Sequence, residues 1–251
     1  MPMIRPLLSA AGLCLSLSLP VQALDLESMS EGDRALLRNE IRAYILDNPE
    51  IIMEAVAVLE QRQSQEQSQA DIDLVKVNAE ALFNDPASWV GGNPEGDITL
   101  VEFMDYRCSY CRRAHDEVTG LLEKDGNIRF IVKEFPILGD ESVLASRFAI
   151  ATLQVAGDDA YKSVHDALMT YSGAMNETGF SRIADTLGLD ANKIISEMNG
   201  DAVDKVIADN HALGQRLAIS GTPSFVMGDQ MLRGYLPQDA MQEIANEIRA
   251  N

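Results

Sequence analysis

The chain has 251 residues, 46% of them apolar and 24% charged, with 39 acidic against 20 basic side chains and a formal net charge of −19 at pH 7. That length suits one domain with a real core plus an appendage. So acidic a surface argues against nucleic acid and anionic membrane as partners, and fits a protein that meets other proteins.

Met1-Pro2-Met3-Ile4-Arg5 is a short, positively charged start, an apolar run follows from Leu7 to Leu19, and Pro20-Val21-Gln22-Ala23 ends on a small residue. The pattern predicts a cleaved secretory signal over 1–23, with the mature chain starting near Leu24. The run is short for a bilayer span and nothing later is longer or more apolar, so no membrane anchor is expected after cleavage. Cys14 lies inside the run and leaves with it. Cys108 and Cys111 are then the only thiols of a chain expected in the periplasm.

Residues 30–85 read as helical. Ser30-Glu31-Gly32-Asp33 supplies capping residues, Leu37, Ile41 and Tyr44 recur at helical spacing, and Asn48-Pro49 breaks the pattern and opens a second helix. Ile52, Ala55, Val56 and Leu59 form one stripe; Ile72, Val75, Ala79 and Leu82 form another. Between them "QRQSQEQSQA" (61–70) is polar on every face, as a helix is that bridges modules or self-associates. Residues 24–85 are therefore predicted to be a protruding helical arm whose apolar stripes make a homo-oligomer.

From residue 86 the period changes. "VGGNPEGD" (90–97) reads as a connector. "ITLVEFMDY" (98–106) reads as a strand covered on both faces, followed by a helix from Ser109 to about Glu123 and a second strand, "IRFIVKEF" (128–135). Residues 139–200 hold helical stretches only, with Asp140, Asp158 and Asp190 placed to cap three of them. One more helix follows over 201–218. "PSFVM" and "QMLRGY" flank Gly228-Asp229, a two-residue loop that suits a hairpin, and 237–250 close as a helix. Outside the helical stretch the order is β-α-β-α-β-β-α. That predicts an α/β thioredoxin fold over 86–251, with a helical subdomain inserted at about 139–200.

The chemistry centres on "MDYRCSYCRR" (104–113). Cys108 falls where strand gives way to helix, so unpaired N–H groups and the helix dipole favour a negative sulfur there. Cys111 lies one turn in and more covered, and the pair can close and reopen a small disulfide. A purely structural disulfide would tie almost no loop and add little stability. Tetrahedral zinc wants four ligands, and His115, His165 and His211 show no ligand spacing to the pair, so no metal site is expected. A two-thiol copper(I) site aided by His115 stands as the alternative. His165 and His211 read as surface or packing residues. Glu102, among Leu100, Val101, Phe103 and Met104, should be buried beneath the cysteines and hold its proton, relaying it to or from Cys111, with Lys133 as a possible partner. In a thioredoxin order Gly221-Thr222-Pro223 faces the helix that carries the cysteines. A cis bond before Pro223 would there turn the Thr222 backbone toward a substrate strand.

"VEFMDYRCSYC", "KEFPILG" and "GTPSF" together resemble the DsbA-like branch of thioredoxin-fold thiol–disulfide oxidoreductases, and residues 31–60 resemble the N-terminal segment of its ScsC-type (suppressor of copper sensitivity) members. The resemblance implies that Cys108 attacks, Cys111 resolves and Thr222-Pro223 is the cis-proline loop. It places Glu102 where the family's buried glutamate stands, and puts Ser109, Tyr110 and Gly221 beside the substrate. It implies no cofactor beyond the Cys108–Cys111 disulfide. Its implied partners are unfolded or misoxidised exported proteins, a membrane redox partner, and copies of this chain, a trimer through 24–85. Ser109-Tyr110 stands where strong oxidases have Pro-His, and Thr222 where they tend to have Val. Both departures point toward an isomerase or mild oxidase.

Overall fold

The computed structural model describes residues 29–250, so the predicted signal peptide, Cys14 and the mature start at Leu24 lie outside the described residues. The chain divides into two units, one ending at Glu60 and one beginning at Gln61. Among the described residues no helix is long and apolar enough to cross a membrane.

The first unit holds α1 (Glu31–Asp47) and the start of α2 (Glu50–Val77). Ser30 caps α1, its Oγ accepting the Asp33 N–H at 3.2 Å. Asn48 ends it, donating both its backbone N–H and its side-chain amide to the Tyr44 carbonyl at 2.9 Å. Pro49, with no N–H to give, separates the helices. No residue of α1 is buried, and Ile41, Tyr44, Ile52 and Leu59 are each at least half exposed.

The second unit is built on a five-stranded sheet in the order β1-β3-β2-β4-β5: β1 (Trp89–Gly92), β2 (Ile98–Met104), β3 (Ile128–Glu134), β4 (Ser224–Met227) and β5 (Gln230–Arg233). β2 and β3 run parallel, joined by α4 (Ser109–Asp125); the β4–β5 hairpin turns at Gly228-Asp229 and pairs antiparallel with β2. Alternation along β2 sorts the core into two layers. Leu100 and Met104 face the cluster that contains Cys111, Val118 and Leu121 of α4 and Met241 of α10 (Gln238–Ala250). Val101 and Phe103 face the opposite cluster, with Leu213 of α9 (Asp201–Arg216) and with Leu217. Between β3 and α9 the chain makes α5 (Asp140–Ala156), α6 (Asp158–Thr170), α7 (Glu177–Thr186) and α8 (Ala191–Glu197), the inserted helical stretch.

Three expectations are corrected. The stripe around Ile72–Leu82 does not belong to an arm. Val75 of α2 and Leu82 of α3 (Ala79–Phe83) are buried against Val101, Phe103 and Ile131, covering sheet surface that would otherwise face water. Asp71 fixes this segment through a two-pronged ion pair with Arg233 at 2.7 and 3.0 Å. Residues 90–92, the start of the expected connector over 90–97, instead form with Trp89 an edge strand antiparallel to β3. Trp89 anchors it, stacking on Tyr161 at 5.4 Å and donating its indole N–H to the Asp158 carbonyl. A Cβ at Gly91 would lie 2.0 Å from that indole, so the glycine that weakens the strand signal is what lets the ring lie there. The caps of α5 and α6 are Gly139 and Gly157, with Asp140 and Asp158 one residue inside; only Asp190 caps its helix, accepting from the Lys193 N–H.

Candidate redox site

The turn after β2 places the cysteines. Asp105, fully buried, accepts the Arg107 N–H at 2.7 Å on one carboxylate oxygen and the N–H groups of Ile137 and Leu138 at 2.8 and 3.0 Å on the other. One side chain thus pins the loops that follow β2 and β3. Cys108 then takes the N-cap of α4 in extended conformation, with the Cys111 N–H 3.4 Å from its sulfur. Cys111, Ala114, Val118 and Leu121 form the buried stripe of α4, and Gly126 at φ +71° ends the helix. Arg112 is locked outside the stripe, donating to the carbonyls of Tyr106, Leu168 and Tyr171.

The Thr222–Pro223 bond is cis. The Thr222 carbonyl lies 3.2 Å from Cys108 Sγ, which donates to it as a thiol. Gly221, just before it, has open space where a side chain would stand. Ser109 and Tyr110 lie exposed at the start of α4, with Tyr110 58% exposed. The fold thus brings six of the predicted site residues, Cys108, Ser109, Tyr110, Cys111, Thr222 and Pro223, to one end of the sheet.

The two thiols are driven apart electrostatically. Hydrogen bonding from the Cys111 thiol, helped by the Thr222 side chain and the N–H groups of Cys111 and Tyr110, outweighs burial and brings Cys108 down to about 5. The Thr222 carbonyl contact serves only the protonated sulfur and works the other way. Cys111, fully buried, is pushed far above the ordinary thiol value by burial first, then by its bond to Cys108 and the charge of Glu102.

Glu102 is 2% exposed and shares the sheet face of Leu100 and Met104, the face that α4 covers. Its Oε1 has no hydrogen-bond partner, and burial, then the charges of Cys108 and Glu134, raise it to about 8. The expected pairing with Lys133 does not form. Glu102 stands opposite Val132, so Lys133, one residue on, points to the other face. There its ammonium donates to the Ala81 carbonyl at 2.8 Å and pairs with Asp85 at 2.6 Å.

Sequence reasoning missed a second buried acid. Glu134, at the end of β3, accepts from Tyr106 and Tyr161 hydroxyls at 2.8 and 2.6 Å and from Ser146 at 2.7 Å. Burial raises it to about 7 despite those bonds. Its one signal was its place at the end of a mostly apolar strand, followed by Phe135. Arg112 and Asp105 were also missed, and an aspartate three residues before a helix-capping sulfur is a readable Asx-turn pattern. Of the histidines, His211 packs on Phe135 and His165 is 2% exposed between Tyr106 and Tyr161.

Comparison with known proteins matches this architecture. A family model described as DSBA-like thioredoxin domain matches residues 99–246, and one described as Copper resistance protein ScsC N-terminal domain matches residues 33–66. The chain is similar to a crystallised thioredoxin-like oxidoreductase from Silicibacter pomeroyi, 45% identical, covering 68% of this chain and 98% of that one at a TM-score of 0.65. It is also similar to a linker-deletion variant of ScsC from Proteus mirabilis, 25% identical, covering 89% and 98% at a TM-score of 0.65. The first curated relatives are much longer. This chain spans 22% of the Na(+)/H(+) antiporter NhaA 1 of Salinispora arenicola, 27% identical over 146 residues, or 58% of this chain. With its thioredoxin sheet, its C-x-x-C pair at a helix cap and its cis-proline loop, the chain belongs to the DSBA-like thioredoxin domain family of thiol–disulfide oxidoreductases and carries an ScsC-type N-terminal segment.

Proposed function

We propose that this protein is a periplasmic thiol–disulfide oxidoreductase of isomerase or mild-oxidase type, acting on exported proteins that are unfolded or wrongly paired. One observation carries the reading. Cys108, at the helix cap beside the cis Thr222–Pro223 bond, is brought to about 5, while Cys111 behind it keeps its proton. The pair is one stable nucleophile backed by one held thiol.

In the cycle, thiolate Cys108 attacks a substrate disulfide lying along Gly221-Thr222-Pro223. A Cys108–substrate disulfide forms, and the other substrate sulfur leaves as a thiolate. With the Cys108 charge gone, Glu102 releases its proton to solvent, and Cys111 then passes its proton to that carboxylate and attacks the Cys108 sulfur. This closes the Cys108–Cys111 disulfide and releases the substrate with both sulfurs reduced. If a second substrate thiolate attacks instead, the substrate is isomerised and Cys108 is returned. Run in reverse, the sequence oxidises a substrate dithiol. The Cys108–Cys111 pair is the only electron carrier the cycle needs, and a membrane redox partner resets it.

The exposed apolar side chains of residues 31–60 are assigned to a trimer, which would hold several sites around one client. Cys108 lies between the nucleophiles of thioredoxin, about 7, and DsbA, about 3.5, so the pair's potential is expected between their values, about −270 and −120 mV. Equilibration with glutathione buffers, run beside a light-scattering mass and the reshuffling of scrambled ribonuclease, tests this. An intermediate potential, a trimeric mass and reshuffling lost in Cys108→Ala are expected. A monomer as oxidising as DsbA overturns the isomerase reading, and reshuffling no faster than glutathione alone overturns the enzyme.

The match to a copper-resistance N-terminal domain favours, as a second reading, a copper(I) carrier using both thiolates. Against it, the buried Cys111 gives up its proton with difficulty. Titration of the reduced protein with copper(I) against a chelator separates the two.

A further inference from the structure

A second group of chemistry-bearing side chains takes no part in that cycle. His115 lies one turn beyond Cys111 on α4, and His165 and Asp166 are neighbours on α6. One ligand atom from each of the three lies within 4.8 Å of the others. We propose that His115, His165 and Asp166 form a binding site for a borderline divalent transition-metal ion, of the copper(II) or zinc(II) class, joining α4 to α6.

His165 is oriented as a ligand is. Its Nδ1 lies 3.0 Å from the Tyr106 hydroxyl, and that hydroxyl donates to Glu134 at 2.8 Å. A hydroxyl that gives its proton to a carboxylate accepts from the ring, which assigns the proton to Nδ1 and leaves the Nε2 lone pair for an ion. A ring N–H given to an oxygen acceptor, so that tautomer and ring orientation are fixed, is the usual outer support of a metal-ligating histidine.

The other two ligands supply the opening. His115 Nε2 is 3.2 Å from Asp166 Oδ1, an ion-pair distance without hydrogen-bond geometry, and that oxygen is closed off from solvent, so the two ligand atoms already face each other across the space an ion would take. Its fellow, Oδ2, is paired with Lys162 at 2.5 Å. Lys162 opposes a cation here, and at 45% exposure its ammonium can turn outward while Oδ1 binds.

Two imidazoles and one carboxylate select the metal class. The set is too nitrogen-rich for magnesium or calcium and lacks the thiolates that hold copper(I), whereas zinc(II) and copper(II) accept it. Three protein ligands leave at least one position for water. An ion held there would tie the helix that carries both cysteines to the helical insertion.

The test uses the untagged full chain with Cys108 and Cys111 closed as a disulfide, so that the redox thiols take no metal. Copper(II) is titrated in and followed by calorimetry and electron paramagnetic resonance, with zinc(II) as competitor. One equivalent is expected to bind with splitting from two imidazole nitrogens, displaced by excess zinc(II), and to raise the melting temperature. His115→Gln and Asp166→Asn change partly exposed side chains, and each should weaken binding by more than the ~10- to 100-fold that loss of an outer-shell partner costs. The chain has three histidines, so a two-nitrogen signal that survives His115→Gln would place the ion elsewhere and overturn the proposal. Should a variant lose its fold, the unaltered protein still decides. No stoichiometric site, or a site with fewer than two nitrogens, refutes the assignment.

Discussion

Glu102→Gln offers the sharpest test of the buried acid, because its effect on stability should depend on pH in a direction opposite to that of the thiol above it. In the unfolded chain Glu102 ionises at its ordinary 4.5; in the folded protein burial and the charge of Cys108 hold it to about 8. Between those values the native state binds a proton that the unfolded state has released, so stability falls as pH rises. At about 1.36 kcal/mol per pH unit, the carboxyl costs about 3 kcal/mol at pH 7 and about 5 kcal/mol above pH 8, and almost nothing near pH 4. Glutamine has the same shape and no charge to release. The variant should therefore match the wild type at pH 4 and exceed it progressively toward pH 9. Cys108 acts the other way. Lowered from 9 to about 5, it adds stability as pH rises through that window. It is present in both proteins, so the pH-dependent difference between them reports Glu102 together with its coupling to Cys108. Urea unfolding of the reduced proteins at pH 4, 5.5, 7 and 9 gives the difference directly. A gap that stays constant with pH would mean that Glu102 titrates normally, and the proton-relay role would go with it.

Three further outcomes follow from the same geometry. Iodoacetamide should label Cys108 of the reduced protein with a rate rising through about pH 5 and leave Cys111 unlabelled; a rise near pH 9 would refute the activated sulfur. Leu82→Ala removes a fully buried side chain from the α3–sheet contact and should cost about 2–5 kcal/mol in urea unfolding, whereas a cost under about 0.5 kcal/mol would mean that α3 only rests on the sheet. Asp85→Asn leaves the Lys133 ammonium buried without its counter-charge and should cost about 3–5 kcal/mol at pH 7. That deficit should shrink at alkaline pH, because burial already holds Lys133 below the ordinary lysine value; a deficit independent of pH argues against a buried charge.

What could be read from the residues alone was what depends on near neighbours. The position of Cys108 follows from an apolar strand ending four residues earlier and a helical period beginning one residue later, and the burial of Glu102 follows from the four apolar residues around it. The hairpin and the chain order of the four strands other than β1 were readable for the same reason. What escaped depends on distant partners. Lys133 pairs with Asp85, 48 residues away, because strand register sends it to the face opposite Glu102. Glu134 is satisfied from Tyr106, Ser146 and Tyr161, which arrive from three separate elements. β1 was hidden by two glycines, one of which exists to accommodate Trp89. The stripe of Val75 and Leu82 announced a buried face without saying what would cover it; an oligomer and a sheet leave the same trace in a helix.

The coupling between Glu102 and the two sulfurs also supplies timing in the proposed cycle. While Cys108 is a thiolate, its charge helps to raise both Glu102 and Cys111, so the acid keeps its proton and the second thiol stays protonated. Two negative charges in a buried pocket oppose each other, and the sulfur, ionising near 5, takes the charge first. Once Cys108 is joined to substrate sulfur, that charge is gone. Glu102 then ionises more easily and becomes the base, and Cys111 loses one of the influences that held its proton. The resolving step is therefore assisted only after the attacking step has occurred. Removing the carboxylate should slow the release of substrate from the mixed disulfide more than it slows the initial attack. Rapid-quench measurement of mixed-disulfide lifetime in Glu102→Gln, against the wild type at pH 7, distinguishes these; equal slowing of both steps would assign Glu102 to packing alone.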